Sequence, residues 1–300
     1  VIIKFKVRNV TYRKISQKAK LSLIAAALLV PAFALSAYAA DFVRPMPTHP
    51  IQAGPTLLGG EQPVICSPLV GKNLKAIKAE AKTVKALNPD MVEVRADYWD
   101  FIEDTDKAIE ALQAIRNIIG DTPILLTVRV AEERGFKKVG QKPKFDFYKK
   151  AAALKLPNLI DVELVYGADT IKNLKKDLNG VPVVVAYHDL KGTPSSEEIA
   201  NILKKEIDAG GDVAKIVVKP NSQADVLRFL NGTLEFRTKN PAYPVIASAS
   251  GQEGRITRLA GGLFGIDLTF ASGVKGSNPW QMPVQTVQEI NKVIYPVTKK

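Results

Sequence analysis

The chain has 300 residues, 42 of them Lys or Arg and 30 Asp or Glu, for a formal charge of +12 at neutral pH. A single cysteine, Cys66, excludes an internal disulfide and a thiolate metal cluster. The two histidines, His49 and His188, fall in no H-x-x-H spacing, so a zinc site would need carboxylates for most of its ligands. No glycine-rich phosphate loop of the P-loop or dinucleotide type occurs, so the chemistry is expected of ordinary side chains, with no metal and no cofactor.

Lys4, Lys6, Arg8, Arg13, Lys14, Lys18 and Lys20 precede an apolar stretch, Leu21–Leu35, and Ala37-Tyr38-Ala39 then supplies small residues at A-x-A spacing. This pattern predicts a signal peptide over 1–39, cleaved after Ala39, and hence a periplasmic protein. The alternative, a retained membrane anchor, has only fifteen apolar-stretch residues to work with, Pro31 among them, which is short for a span. No stable span is expected after cleavage. Removing seven basic residues leaves 35 against 30 acids, a net +5, so the apparent nucleic-acid-binding charge belongs largely to the leader. A mild positive excess suits a small anionic substrate and gives no reason to expect nucleic acid. The remaining 261 residues suffice for one domain with a sizeable core.

Residues 40–62, rich in Pro and Gly, read as an N-terminal extension or linker, or a segment lying against the domain surface, and His49 within it has no expected role. From 63 to 300 the pattern is regular. Strand-like runs are expected at Val64–Pro68, Met91–Arg95, Ile124–Val130, Leu159–Leu164, Val181–His188, Val213–Val218, Val245–Ser248 and Ile266–Phe270. Helix-like runs between them include Leu74–Leu87, Asp104–Ile118, Asp146–Leu154, Ser195–Ala209 and Gln223–Leu230, with Val284–Ile294 after the eighth strand. Eight strands alternating with helices are the arithmetic of a single-domain α/β protein, a (β/α)8 TIM barrel. An open doubly wound sheet is the alternative, but it usually has fewer strands and a glycine loop after the first.

Active sites of such barrels lie at the C-terminal ends of the strands. Polar residues gather there: Glu93 and Arg95 on the second strand, Arg129 and Glu133 at the third, His188 at the fifth, Lys215 in the sixth, Ser277 and Gln281 after the eighth. Lys215 lies in the apolar run Val213-Ala214-Lys215-Ile216-Val217-Val218. A buried ammonium is costly, so this lysine has to deprotonate, find a partner, or do chemistry; a free amine can attack a ketone to form a Schiff base. The structural alternative is a lysine paired with a carboxylate or reaching water. Glu93, Arg95 and Asp97 share one strand face, as a buried ion pair, a floor for substrate hydroxyls, or both. His188, on the strand next to Lys215, can exchange a proton at neutral pH, with Glu133 orienting the ring. Either Arg258 or Arg255 can bind a carboxylate with its fork; spacing does not choose between them.

From about Pro63 onward the chain resembles type I 3-dehydroquinate dehydratase. The resemblance is carried by Pro68-Leu69-Val70-Gly71-Lys72, Glu93-Val94-Arg95-Ala96-Asp97, Thr127-Val128-Arg129 and Asp161-Val162-Glu163-Leu164. It continues in His188-Asp189, Lys215-Ile216-Val217-Val218-Lys219-Pro220, Arg258-Leu259-Ala260-Gly261 and Ser277-Asn278-Pro279-Trp280-Gln281. No single motif is decisive; their order on successive strands is. The resemblance implies a metal-free, cofactor-free hydro-lyase that converts 3-dehydroquinate to 3-dehydroshikimate. It implies an imine on Lys215, proton transfer by His188 aligned by Glu133, and a substrate carboxylate on Arg258. It further implies ring hydroxyls held by Glu93, Arg95 and Arg129, a lid carrying Ser277 and Gln281, and a homodimer. Combined with the leader, it suggests a catabolic role in quinate breakdown.

Three segments depart from the family pattern. Ala247-Ser248-Ala249-Ser250 replaces a Met-rich stretch, Thr257 a serine, and Glu133-Arg134-Gly135 a Glu-Gly-Gly. They bear on substrate affinity and loop behaviour, since Lys215 and His188 are in place. Two alternatives share part of the pattern: a class I aldolase-type Schiff-base lyase, and an exported, non-catalytic binding protein for cyclic polyhydroxy acids.

Overall fold

A computed structural model describes residues 44–297; the leader expected over 1–39 lies outside the described residues. Residues 51–58, read from sequence as part of a linker or surface segment, form a hairpin of strands β1 (Ile51–Ala53) and β2 (Thr56–Leu58). Gly54, at φ +52°, supplies the positive φ that a two-residue hairpin turn requires. Its inward residues, Ala53 and Leu58, are buried against the lumen of the barrel, which is why this stretch is not a linker. Arg44, just upstream, is buried as well, with its Nη2 2.6 Å from Asp267 Oδ1.

Eight parallel strands then close into a barrel in chain order: β3 (Val64–Leu69), β4 (Met91–Arg95), β5 (Ile124–Thr127), β6 (Leu159–Glu163), β7 (Val183–His188), β8 (Val213–Val218), β9 (Val245–Ala249) and β10 (Leu268–Phe270). β10 pairs back onto β3, Leu268 opposite Val64. The outer wall is α1 (Leu74–Ala86), α2 (Thr105–Ile119), α3 (Gln141–Ala153), α4 (Ala168–Lys176), α5 (Ser196–Asp208), α6 (Gln223–Lys239), the short α7 (Thr257–Ala260) and α8 (Val284–Ile294). The chain thus forms the (β/α)8 barrel that its alternating pattern predicts.

Several helix starts follow from local chemistry. The side chains of Asn73, Asp104, Ser195 and Ser222 cap α1, α2, α5 and α6, and Ser195 with Glu198 forms a capping box. α3 begins five residues before the expected Asp146, because Pro143 falls in the first turn, where a missing N–H costs nothing. α6 runs nine residues past the expected Leu230. The glycine that weakens its helical reading, Gly232, lies where α5 packs closest, and a Cβ there would be 2.6 Å from the Ser196 carbonyl.

Strand alternation stacks the lumen in layers. The outward residues Val92, Val94, Leu126, Ile160, Val162 and Val185 meet the helices. Inside, at the N-terminal end, Met91, Leu125, Leu159, Val184, Val213 and Ile246 form an apolar layer with the hairpin residues. Two residues further along four of these strands, the inward positions become Glu93, Thr127, Asp161 and Lys215. Two further still they become Arg95 and Glu163 at the ends of β4 and β6 and Arg129 just past the end of β5, and His188 ends β7.

Candidate active site

Lys215 is 2% exposed. Its Nζ lies 2.7 Å from Asp161 Oδ2 and 3.4 Å from Glu93 Oε1, and 4.9 Å above the Phe270 ring. Of the three options open to a lysine in an apolar strand, the structure shows pairing, with the amine held at the floor of a pocket. Its backbone N–H donates to Glu206 Oε2 at 2.7 Å, a fully buried carboxyl on α5. Burial pushes the Glu206 carboxyl well above its ordinary range, against the pull of this hydrogen bond.

The charges around Lys215 alternate in sign. Arg129 places Nη2 2.7 Å from Asp161 Oδ1 and Nη1 3.1 Å from Glu163 Oε1. Glu163 also takes the buried Lys144 of α3 through its second oxygen. Burial pushes the Asp161 carboxyl up, but Arg129 and then Lys215 outweigh it, and the net shift is down. Arg95 is gripped by Asp97 through two bonds of 2.8 Å each. The strand ends at Arg95, and the 3-10 turn Ala96–Tyr98 brings Asp97 back to the guanidinium. Arg95 and Arg129 thus have their forks committed to carboxylates while they line the pocket.

His188 Nδ1 lies 2.7 Å from Glu133 Oε2. Burial, then the positive charges of Arg129, Lys215, Arg95 and Arg134, hold the imidazole well below its ordinary range, so it is neutral at pH 7. Burial pushes Glu133 up to about 7, against the pull of Arg129. When Glu133 is ionised it accepts a hydrogen bond from Nδ1–H, which keeps the ring proton there and leaves Nε2 free as a base. The tight loop that places Glu133 depends on Gly135, where a Cβ would be 2.1 Å from the Arg129 carbonyl.

Arg258 is 4% exposed and has no ion-pair partner among the described residues; its Nε is buried without an acceptor. Burial alone lowers it to about 10, so it stays charged at neutral pH. Arg255, left open as a rival by the sequence, is exposed and does not line the pocket, because the 3-10 turn Glu253–Ile256 carries it outward. Above the pocket the segment between β10 and α8 is anchored by a bridge of Ser272 to Pro283. Within it, Gln281 Nε2 donates to Ser277 Oγ at 3.2 Å, and Gln281 Oε1 is buried without a partner.

The nine residues to which the resemblance gives a role, Glu93, Arg95, Arg129, Glu133, His188, Lys215, Arg258, Ser277 and Gln281, line one pocket. Sequence reasoning gave no role to Asp161 and Glu163, which organise the cations beneath it. The signal was present: Asp161-Val162-Glu163 repeats the buried-charge alternation of Glu93-Val94-Arg95 on another strand. Glu206 left no such signal, since it lies on a helix, and Arg134 showed only as a departure from the family's Glu-Gly-Gly.

Residues 65–297 match the model of the family described as type I 3-dehydroquinase. Curated relatives include the 3-dehydroquinate dehydratases of Bacillus licheniformis, 37% identical over 240 residues, and of Geobacillus thermodenitrificans, also 37% over 240. Each alignment covers 79% of this chain, and 94% and 93% of those proteins respectively. Among solved structures, the type I enzyme of Clostridium difficile with covalently modified comenic acid superposes with a TM-score of 0.79. It is 32% identical, with 82% of this chain and 98% of that one covered. The Geobacillus kaustophilus 3-dehydroquinate dehydratase gives 0.79 at 33% identity, with 84% and 99% covered. With its barrel, its buried lysine and this extent of similarity, the chain belongs to the type I 3-dehydroquinase family.

Proposed function

We propose that this chain dehydrates 3-dehydroquinate to 3-dehydroshikimate through an imine on Lys215. The observation that carries the reading is one pocket holding an amine, a neutral imidazole and a buried, unpaired guanidinium. The Lys215 amine, freed of its proton to a neighbouring carboxylate, adds to the ring ketone and expels water to form the imine. The imine draws electrons, so the adjacent C–H becomes acidic and His188 Nε2 removes its proton. The resulting enamine pushes out the hydroxyl on the next carbon, which leaves as water with the proton carried by His188. A further water hydrolyses the conjugated imine, returning free Lys215 and the enone.

In this scheme Arg258 binds the substrate carboxylate, Glu133 aligns His188, and Glu93, Arg95 and Arg129 face the ring hydroxyls. Arg129 also fixes Asp161 beneath Lys215. Ser277 and Gln281 close over the ring and exclude water. Incubation with 3-dehydroquinate should produce the enone absorbance, and borohydride with substrate should leave a mass adduct on the Lys215 peptide. Aldol-type cleavage products without the enone would favour the aldolase reading; binding with neither enone nor adduct would favour a carrier.

The basic and apolar pattern of 1–39 supports an exported enzyme in quinate catabolism. Fractionation of cells should place the mature chain outside the inner membrane. Growth on quinate that persists after deletion of the gene would argue against the catabolic role.

A further inference from the structure

Four arginines line the pocket. Arg95 and Arg129 are tied to carboxylates, and Arg258 is buried at the wall. The fourth, Arg134, is exposed and has no ion-pair partner among the described residues. Its backbone stands at φ +66°, ψ +30°, in the left-handed region, directly after the 3-10 turn Ala131–Glu133. Side chains with a Cβ adopt this conformation at a cost that glycine avoids and asparagine reduces. The other non-glycine residues at positive φ among the described residues are Asn88, Lys155 and Asn179, and none of them lines the pocket. Among the described residues, Arg134 is therefore the one non-glycine position lining the pocket whose backbone stands in the left-handed region. The turn itself needs no arginine: Gly135, next in the chain, supplies the close approach to Arg129, and Gly or Asn at 134 would meet the backbone requirement.

The positive charge of Arg134 also reaches His188, whose protonation it opposes, so the guanidinium lies within electrostatic range of the reacting centre. Together Arg134 and Arg258 are the two lining arginines without a carboxylate partner, one at the solvent side and one buried. We propose that Arg134 is a specificity-determining residue of this site, a solvent-facing guanidinium that captures the carboxylate of an incoming anionic substrate and passes it to Arg258. The inference rests on the dehydratase reading for its substrate, a monoanionic ring acid. It accounts for an arginine where conformation alone would select glycine, and it acts on encounter rather than on proton transfer.

The test is kcat/KM for 3-dehydroquinate across ionic strength for the wild type, R134K, R134N and R134G. The two neutral variants should lose on the order of fivefold in kcat/KM at low salt, and R134K should stay within about twofold of wild type. The gap should close to about twofold or less near 0.5 M salt, where exposed charges are screened. The thermal midpoint of R134G should hold or rise while its kcat/KM falls, which a purely structural arginine would not produce. Equal kcat/KM for R134N and R134K at low salt, a deficit insensitive to salt, or a deficit in R134G alone would each overturn the proposal. If the wild type does not turn over 3-dehydroquinate, the functional reading fails instead. Capture is then read from equilibrium affinity for quinate, with the same variants and the same salt dependence deciding.

Discussion

The two ends of the barrel lumen are built from the same strands and differ by two residues of register. At the N-terminal end Met91, Leu125, Leu159 and Val213 pack with Ala53 and Leu58 of the hairpin into a buried apolar plug. One pleat further along, the same four strands present Glu93, Thr127, Asp161 and Lys215. The plug is stabilised by area removed from water. The upper layers carry buried ions whose desolvation is offset where each has a partner, and Arg258 is the buried pocket arginine that has none among the described residues. The difference teaches a division of labour: a closed end that tolerates no water supports an end whose groups are set for chemistry.

The largest separation of the two ends should come from Lys215→Ala. Turnover and the borohydride adduct should both vanish, and retained activity would remove Lys215 from the mechanism. His188→Ala should lower kcat by roughly 10²–10⁴-fold, measured by enone absorbance, with the fold intact by circular dichroism. At the opposite end, Leu125→Ala should destabilise by about 2–5 kcal/mol in denaturant titration, through lost burial and a residual cavity. Its kcat below the melting transition should change little; a loss comparable to that of His188→Ala would erase the distinction between the two ends.

Asp161→Asn combines both effects, because it leaves Arg129 and Lys215 without their shared counter-charge. A loss of about 3 kcal/mol is expected, together with slower adduct formation in single-turnover trapping.

The smallest effect is in pH. Below about 7 the Glu133 carboxyl is protonated and donates to His188 Nδ1, which leaves the proton of the neutral ring on Nε2 and no base there. Above it, ionised Glu133 accepts from Nδ1 and frees Nε2. The rate should therefore rise roughly tenfold with pH through about 7, and Glu133→Gln should flatten that limb. Stability runs the other way. The folded pKa is raised from 4.5, so the contribution of Glu133 is fully present below 4.5 and is lost as pH rises through about 7. Glu133→Gln should gain stability relative to wild type above pH 7; an unchanged difference across pH 5–8 would contradict the raised carboxyl.

The barrel strand count, the helix starts at Asp104 and Ser195, and the polar residues at strand ends were legible because each rests on local periodicity or a local pattern of residues. Residues 51–58 were harder to read: a three-residue strand carries too short a pattern, and its apolar residues make sense only against the lumen they close. The α6 extension past Gly232 was hidden for a related reason, since a glycine that permits close helix contact looks in sequence like one that ends a helix. The choice of Arg258 over Arg255 turned on where a four-residue helix points.

By itself the sequence determined the layering of this protein. Alternation along each strand sorts residues to wall or lumen without reference to any other strand, so an apolar end and a charged end were already written in register. Only the tertiary structure decided which charges pair. Lys215 with Asp161, Arg129 with Asp161 and Glu163, and His188 with Glu133 join different strands or a strand to a loop. Such partnerships depend on barrel closure, because a Coulombic contact is set by distance in space and leaves no period in the chain.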